Sequence, residues 1–333
     1  EDAAIALDID VTVNGQSIPA NMTPEGEPAI TLSEQVEIVI SGVPTGATLS
    51  NGTDNGDGTW TLEPNDLNDL TITPAQDDSS DFNLTVTATA TEADSGDVIL
   101  DVATLNVEVL GVADTPTVNV TDVTGAEDSA IPLDITSAIT DIDGSESLSI
   151  EITGVPEGAT LSAGTSSVVD GVTTWTLTPE ELTGLTITPA ADDSSDFTLS
   201  VTATASEEGT TDSVSTTLDV TVTGVADTPT VTVNDASGTE DTAITLDVSG
   251  AVTDAGESLS LSIGDIPEGA TLTSGTDSFT ATADTTSVDI SGWDLGSLTI
   301  TPPANSDVDF DLSVTATSSE DGTSASSTGS MTV

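Results

Sequence analysis

The chain contains no lysine, arginine, histidine, cysteine or tyrosine, while 59 of its 333 residues are aspartate or glutamate, giving a formal net charge of −59. Without a cationic side chain the protein cannot neutralise phosphates, which excludes nucleic acid and anionic lipid as electrostatic partners. Nucleotide sites lose their usual lysine or arginine for the same reason. With no histidine, cysteine, tyrosine or lysine, a serine or threonine nucleophile has no ordinary general base, so only carboxylate chemistry is left and an enzyme is not expected. The absence of cysteine removes disulfides and thiolate metal sites and leaves the redox compartment open. No apolar run approaches the roughly 18 residues of a membrane span, and no signal peptide opens the chain, which therefore reads as an excised segment. Aromatic residues make up only 2%. High charge with few aromatics resembles a disordered composition, but 35% hydrophobic residues in strict alternation argue for many β-strands.

What the sequence does contain is repetition. The string LTITP places its first threonine at 71, 186 and 299, spacings of 115 and 113 residues, and GVADTPTV places its glycine at 111 and 224. Small residues and a proline before a new strand read as a short linker, so the domains are expected at 1–113, 114–226 and 227–333. Each repeat has a matching opening, EDAAIALDI at Glu1, EDSAIPLDI at Glu127 and EDTAITLDV at Glu240. The first repeat is thus expected to lack its first strand. It also carries a surplus of 14 residues between Val11 and Glu34, measured from the opening glutamates to Pro44, Pro156 and Pro267.

Period two dominates inside each repeat. Phe197, Leu199, Val201, Ala203 and Ala205 share one parity and Thr198, Ser200, Thr202 and Thr204 the other; Leu218, Val220 and Val222, and Leu148, Ile150 and Ile152, repeat the pattern. One buried face and one wet face describe antiparallel sheet. The single helical hint is TPEEL, with Thr178 as cap and Pro179 in the first turn. About seven short strands per repeat predict an all-β fold of three tandem Ig-like (cadherin-like) antiparallel β-sandwiches in a linear rod. The core must be aliphatic, with Phe82, Phe197 and Phe310 in equivalent places.

Antiparallel neighbours reverse at every turn, which decides the acids that share a pole. In the second repeat, Glu127 and Asp128 stand at the far pole, as do Asp192, Asp193 and Asp196, because the last strand ends there. The turn TDIDGSE brings Asp141, Asp143 and Glu146 to the near pole, beside the incoming linker. Glu127, Asp128, Asp192, Asp193 and Asp196 are therefore expected to meet the linker residue Asp227 and to face Asp254 and Glu257. The equivalent cage unites Glu1, Asp2, Asp77, Asp78 and Asp81 with Asp114, Asp141 and Asp143. Two unit charges 4 Å apart repel by about 4 kcal/mol at an effective dielectric of 20, so converging carboxylates need a counterion. Hard oxygen ligands in such number suit calcium.

The strings GVADTPTV, AEDSAIPLDI, TDIDGSESLS, VPEGATLSAG, LTGLTITPAADDSSDF and VTATASEEG, which run through the whole second repeat, resemble the tandem extender repeats of giant bacterial RTX adhesins exported by type I secretion. Their junctions resemble those of cadherin-like repeats. The resemblance implies calcium ligands in the ED opening, the DxD turn, the acidic turn before the long strand and the linker aspartate. It further implies cell adhesion and biofilm formation at a bacterial, extracellular surface, where a calcium-rigidified rod projects a distal adhesive domain. Its partners would be calcium and neighbouring repeats, with no nucleic acid, no membrane insertion and an unknown distal receptor. The third repeat departs from the pattern by reading TDAGES, which keeps Asp254 and Glu257 but loses the second aspartate.

Blander readings accompany these. Fifty-nine acids put carboxylates at every turn, as in an acidic surface-layer protein of a halophile. Asp54 and Asp57 in DNGDG have loop-ligand character but equally suit a tight hairpin. Outward threonines in TATAT runs, with the inserted loop Val11–Glu34 as contact, would suit a glycan- or ice-binding module, yet they are ordinary strand surface. Asn21, Asn51, Asn83 and Asn119 begin N-x-Thr sequons, expected to be unmodified in a bacterial protein. Asp192 and Asp196 form a carboxylate pair without the aromatic subsite that glycoside hydrolysis would call for.

Overall fold

The structure is a computed structural model. It describes residues 1–13, 16–17, 34–92, 96–141, 143–169 and 171–333. Most of the inserted segment between Val11 and Glu34, and Asn21 with it, therefore lies outside the described residues. Among the described residues the regular elements are β-strands joined by tight turns, with three short 3-10 turns at Pro64–Leu67, Pro179–Leu182 and Leu295–Ser297. The second of these is the TPEEL segment, where the Thr178 N–H donates to the Glu181 carboxylate at 2.8 Å. Proline in first position and an acid three residues after the cap stabilise a single turn but not a longer helix. The fold is all-β with multiple antiparallel strand pairs, and Val123–Ala126 runs parallel to Val220–Thr223.

Contacts divide the described residues into two compact units. The first comprises 1–119, 136–150 and 202–215; the second comprises 120–135, 151–201 and 216–333. The boundary falls within strands Ser147–Thr153, Phe197–Glu207 and Thr210–Thr223 and in the segment after the first linker.

In the first unit, Ile5–Ala6, Thr71–Thr73 and Thr48–Leu49 form a three-stranded sheet with Thr71–Thr73 at its centre. A five-stranded sheet runs in the order Val98–Val107, Phe82–Glu92, Glu34–Ser41, Thr59–Leu62 and Thr53–Asp54. Ile38, Ile40, Leu62, Leu70, Ile72 and Leu84 fill the core between them. Alternation produces this directly, since strands present successive residues to opposite faces and every second residue is aliphatic. The DNGDG segment is a tight turn. Gly56 and Gly58 adopt φ of 78° and 79°, and Asp54 and Asp57 accept hydrogen bonds from the amides of Gly56 and Thr59 at 2.8 and 3.2 Å.

In the second unit, Thr186–Thr188 is the centre of a three-stranded sheet between Ile131–Pro132 and Thr160–Leu161. Ile187 is fully buried there and faces Ile131 and Leu161 across its two neighbours. Further along the chain, Ile244–Thr245, Thr299–Thr301, Thr271–Ser274 and Asp277–Thr280 form one sheet. Val288–Asp289, Ser258–Gly264, Asp311–Glu320 and Thr323–Thr332 form another, and Leu272, Ile263, Ile300 and Leu312 fill the core between the two. Trp60, Trp293, Phe82 and Phe310 lie only partly buried against these cores.

Such aliphatic cores are sensitive to lost volume. Ile187→Ala leaves a cavity at a sheet centre and should cost about 2–5 kcal/mol of unfolding free energy, read as a lower denaturant midpoint with unchanged slope.

Candidate metal centres

Among the described residues four groups of carboxylates converge, each with ligand-capable oxygens within 4.8 Å of one another: Glu1, Asp141, Asp143 and Glu207; Asp2, Asp77 and Asp114; Glu127, Asp254 and Glu320; Asp128, Asp192 and Asp227. The first two groups lie in the first compact unit and the last two in the second. Each pair brackets one GVADTPTV linker and mixes residues from before and after it.

Local sequence explains how these side chains are held. Asp2, Asp77, Asp128 and Asp192 adopt left-handed backbone conformations, with φ of 53°, 52°, 54° and 55°. Aspartate tolerates this region better than most residues. In each pair one aspartate fixes the other: Asp2 accepts the Asp77 amide and Asp128 the Asp192 amide, both at 3.2 Å.

The linker itself supplies four successive N–H donors, and all four go to side chains. Gly111, Val112, Ala113 and Asp114 donate to Glu208 (3.1 Å), Glu1 (3.0 Å), Thr210 (2.7 Å) and Glu146 (2.6 Å). In the second linker Gly224, Val225 and Ala226 donate to Asp321 (2.9 Å), Glu127 (2.7 Å) and Thr323 (2.7 Å), and Asp227 donates to Glu257. An extended segment without sheet partners must satisfy its amides somehow, and acids from both sides do so here.

Those bonds use one oxygen per carboxylate. The second oxygens of Glu1, Glu127 and Glu146 are buried without a hydrogen-bond partner, as are both oxygens of Glu207 and one each of Asp254 and Glu320. Glu127 and Asp141 are each only 1% exposed and Glu207 2%. Buried charges of one sign are costly unless paired or neutralised, and no side chain in this protein is a cation. The same burial acts on the acids' affinity for protons. Burial, first of all, pushes the carboxyls of Glu1, Glu127, Glu146, Asp114 and Asp227 above their usual range. Neighbouring charges add to it, from Glu320 and Asp254 at Glu127 and from Asp77 and Asp2 at Asp114. Asp143 behaves oppositely. Hydrogen bonds from Ser145, foremost, and from Ser79, whose amide and hydroxyl reach it at 3.0 and 2.9 Å, hold it well below the usual carboxylate range.

Of the acids singled out from the sequence, Glu1, Asp2, Asp77, Asp114, Asp141, Asp143, Glu127, Asp128, Asp192, Asp227 and Asp254 fall within the four groups. Asp78, Asp81, Asp193, Asp196 and Glu257 are not brought into them. Asp78 and Asp193 accept the amides of Ser80 and Ser195 in their own turns. Asp81 and Asp196 accept those of Val109 and Val222, at 2.9 and 2.8 Å. Glu257 grips the linker at Asp227. Glu207 and Glu320 complete the groups and escaped the sequence reading. A strand that starts at the far pole ends at the near one, so SEEG and SSEDG should bring an acid to the linker. A second signal is the glycine opposite: any Cβ on Gly111 or Gly224 would overlap the carboxylate of Glu207 or Glu320. Where Asp143 closes the first centre, the third repeat has Gly256. A Cβ there would crowd the Glu320 carboxylate, which instead receives the Ser194 hydroxyl at 3.0 Å.

The donor set fits a hard divalent cation. Calcium takes six to eight oxygens at roughly 2.4 Å, so oxygens on opposite sides of one ion lie about 4.8 Å apart. The chemistry available is charge neutralisation and bridging.

No family model and no curated protein matches the chain. Solved structures similar to it include Drosophila N-cadherin EC1-4, at 14% identity over 82% of this chain and 61% of that one, with a TM-score of 0.31. The chain thus spans about three fifths of that cadherin fragment. Titin domains I67-I69, at 11% identity over 89% and 87% with a TM-score of 0.29, and the chicken CNTN1 FN1-FN3 domains, at 9% identity over 90% and 89% with a TM-score of 0.26, are also similar. The site's assignment comes from its own side chains.

The raised carboxyls set a pH dependence. Their folded-state affinity for protons exceeds that of the unfolded chain, so their stabilisation is full below the ordinary glutamate value of 4.5 and is lost as pH rises through the raised values. Asp143 opposes this only below its ordinary 3.8. In EDTA, the melting temperature should fall as pH is raised from about 4.5 to 7, and saturating calcium should flatten that slope.

Proposed function

We propose that this chain is a structural extender segment, in which calcium bound at the linkers braces successive Ig-like domains, 1–113, 114–226 and 227–333, into a stiff spacer. The observation that carries the reading is the set of buried carboxylate oxygens without partners, drawn from both sides of each linker in a chain that has no cation. Glu1, Asp141, Asp143 and Glu207, with Asp2, Asp77 and Asp114 beside them, would hold ions at the first linker. Glu127, Asp254 and Glu320, with Asp128, Asp192 and Asp227, would hold them at the second. Bound calcium removes the mutual repulsion, ties residues on either side of the linker to one centre and so fixes the angle between neighbours.

At sites of about 10⁻⁴ M affinity and millimolar calcium, mass action supplies roughly 1.4 kcal/mol per site, a substantial share of a marginal domain's stability. That concentration is extracellular, and the resemblance to bacterial RTX adhesin repeats points to a cell-surface spacer that carries an adhesive domain away from the cell. In calcium-poor cytosol the same chain stays loose enough for type I secretion. Catalysis plays no part in this reading: no histidine, cysteine or lysine accompanies the clustered acids.

Small-angle scattering with and without EDTA tests the stiffening, and an unchanged maximum dimension and flexibility would overturn it. Thermal melts at fixed ionic strength separate specific calcium from general hydration. Calcium should raise the transition well above magnesium or sodium, whereas equal effects of all three would assign the acids to a halophile-type surface. Glu320→Gln gives a signature that depends on the ion. Removing a repelling charge should raise the melting temperature in EDTA, and removing a ligand should lower it in millimolar calcium.

A further inference from the structure

The two linkers differ by one acid. At the first, the acidic turn runs from Asp141 to Glu146; at the second, it runs from Asp254 to Glu257 and is two residues shorter. Both turns keep the same frame. Asp141 accepts the Asp143 amide at 2.8 Å and Asp254 the Gly256 amide at 2.9 Å, while Glu146 and Glu257 take the amides of Asp114 and Asp227. Gly256 therefore stands where Asp143 stands, without its carboxylate. The companion groups are alike, since Asp2, Asp77 and Asp114 match Asp128, Asp192 and Asp227 residue for residue. Among the four groups, the difference falls on the pair that holds Glu207 and Glu320.

A serine shows what takes the place of the missing acid. Ser79 and Ser194 are equivalent, each following the paired aspartates after LTITP. The Ser79 hydroxyl donates to Asp143 at 2.9 Å, whereas the Ser194 hydroxyl donates to Glu320 at 3.0 Å. Glu320 also occupies the space over Gly256, where an added Cβ would meet its Oε1 at 2.6 Å. Its counterpart Glu207 keeps both oxygens buried and without a partner. In the second centre each of the three acids has given one oxygen to a donor: Glu127 to the Val225 amide, Asp254 to the Gly256 amide and Glu320 to Ser194. The other oxygen of each is buried and unpartnered. One acid here does the work of two. The affinity of an oxygen site for calcium follows the number and charge of its ligands, and three carboxylates draw a divalent ion less strongly than the four at the first linker.

Resting on the calcium reading of these centres, we infer that the second linker binds calcium more weakly than the first, and that the residue at Asp143 and Gly256 sets the difference. As calcium falls, the second linker empties first. The chain then hinges between its second and third domains while the first linker is still braced, so calcium concentration grades the stiffness of the segment instead of switching it at once. Gly256 is a position where the missing acid can be restored. Its backbone is not left-handed, and what an aspartate there would meet is the flexible end of the Glu320 side chain.

The test follows hydrogen exchange of the linker amides at 111–114 and 224–227 in the full chain across a calcium titration, so that each linker reports on itself. Exchange at 111–114 should slow at about tenfold less calcium than exchange at 224–227, in keeping with one carboxylate more. Gly256→Asp should bring the second midpoint down towards the first and leave the first where it was. Asp143→Gly should raise the first midpoint and leave the second. Melting separates a ligand from a better turn: G256D should lower the melting temperature in EDTA, by adding a repelling charge, and raise it in millimolar calcium, whereas a purely structural effect would have one sign in both. Coincident or reversed midpoints in the parent chain, or a second midpoint unmoved by G256D, would overturn this inference and leave calcium bracing in place. Exchange at both linkers that ignores calcium altogether would overturn the bracing itself, and this inference with it.

Discussion

A carboxylate taken out of water needs a positive charge, a proton or several hydrogen-bond donors, and this protein can supply only the last from its own side chains and backbone. That constraint organises both linkers. Four consecutive backbone amides lend their protons to acids and hydroxyls from either side, which turns a flexible connector into a scaffold that fixes where the acids stand. The amides run out before the oxygens do. Glu1, Glu127 and Glu146 keep one oxygen each in a buried place with nothing to bind, and Glu207 keeps two. The remaining need can be met only from solvent, by protons at low pH or by cations near neutrality.

Pre-organisation follows from the same arrangement. The left-handed aspartates and the amide grips hold the carboxylate oxygens close together, and the backbone conformations at Asp2, Asp77, Asp128 and Asp192 are of the kind that costs free energy unless its surroundings enforce it. The two centres are related but not identical. Asp143 is held ionised by serine donors at the first linker, whereas Gly256 stands in its place at the second and Glu320 takes up a serine hydroxyl instead.

Much of this could be read from residue order, for identifiable reasons. Strict alternation made Leu199, Val201, Ala203 and Ala205 inward-facing, and all four are buried. Proline and a capping pair confined TPEEL to one short turn. Reversal of direction at each turn put Glu127 with Asp254 and Asp2 with Asp77. What alternation cannot convey is side-chain direction within a pole. Asp81 and Asp196 stand in the right turn, but each is spent on a backbone amide, of Val109 just after the last strand and of Val222 near its end. Glu207 and Glu320 were overlooked because each sits in a hairpin whose acids look like ordinary solvated turn residues. The crowding of Gly111 and Gly224 shows that the carboxylate is folded inward.

The way the clustered acids are shared across a linker bears on how such chains can be recombined. The acids around each linker come from upstream of GVADTPTV, from its own aspartate and from downstream. A graft that cuts at the linker therefore leaves two acid patches, each without its complement, whereas a splice inside the strands, where the contact units themselves divide, transplants both halves intact. Gene duplication or protein engineering that lengthens an array of this kind should keep its crossovers in the middle of the sandwiches, with the junction as the inherited module and the domain as the place where modules meet.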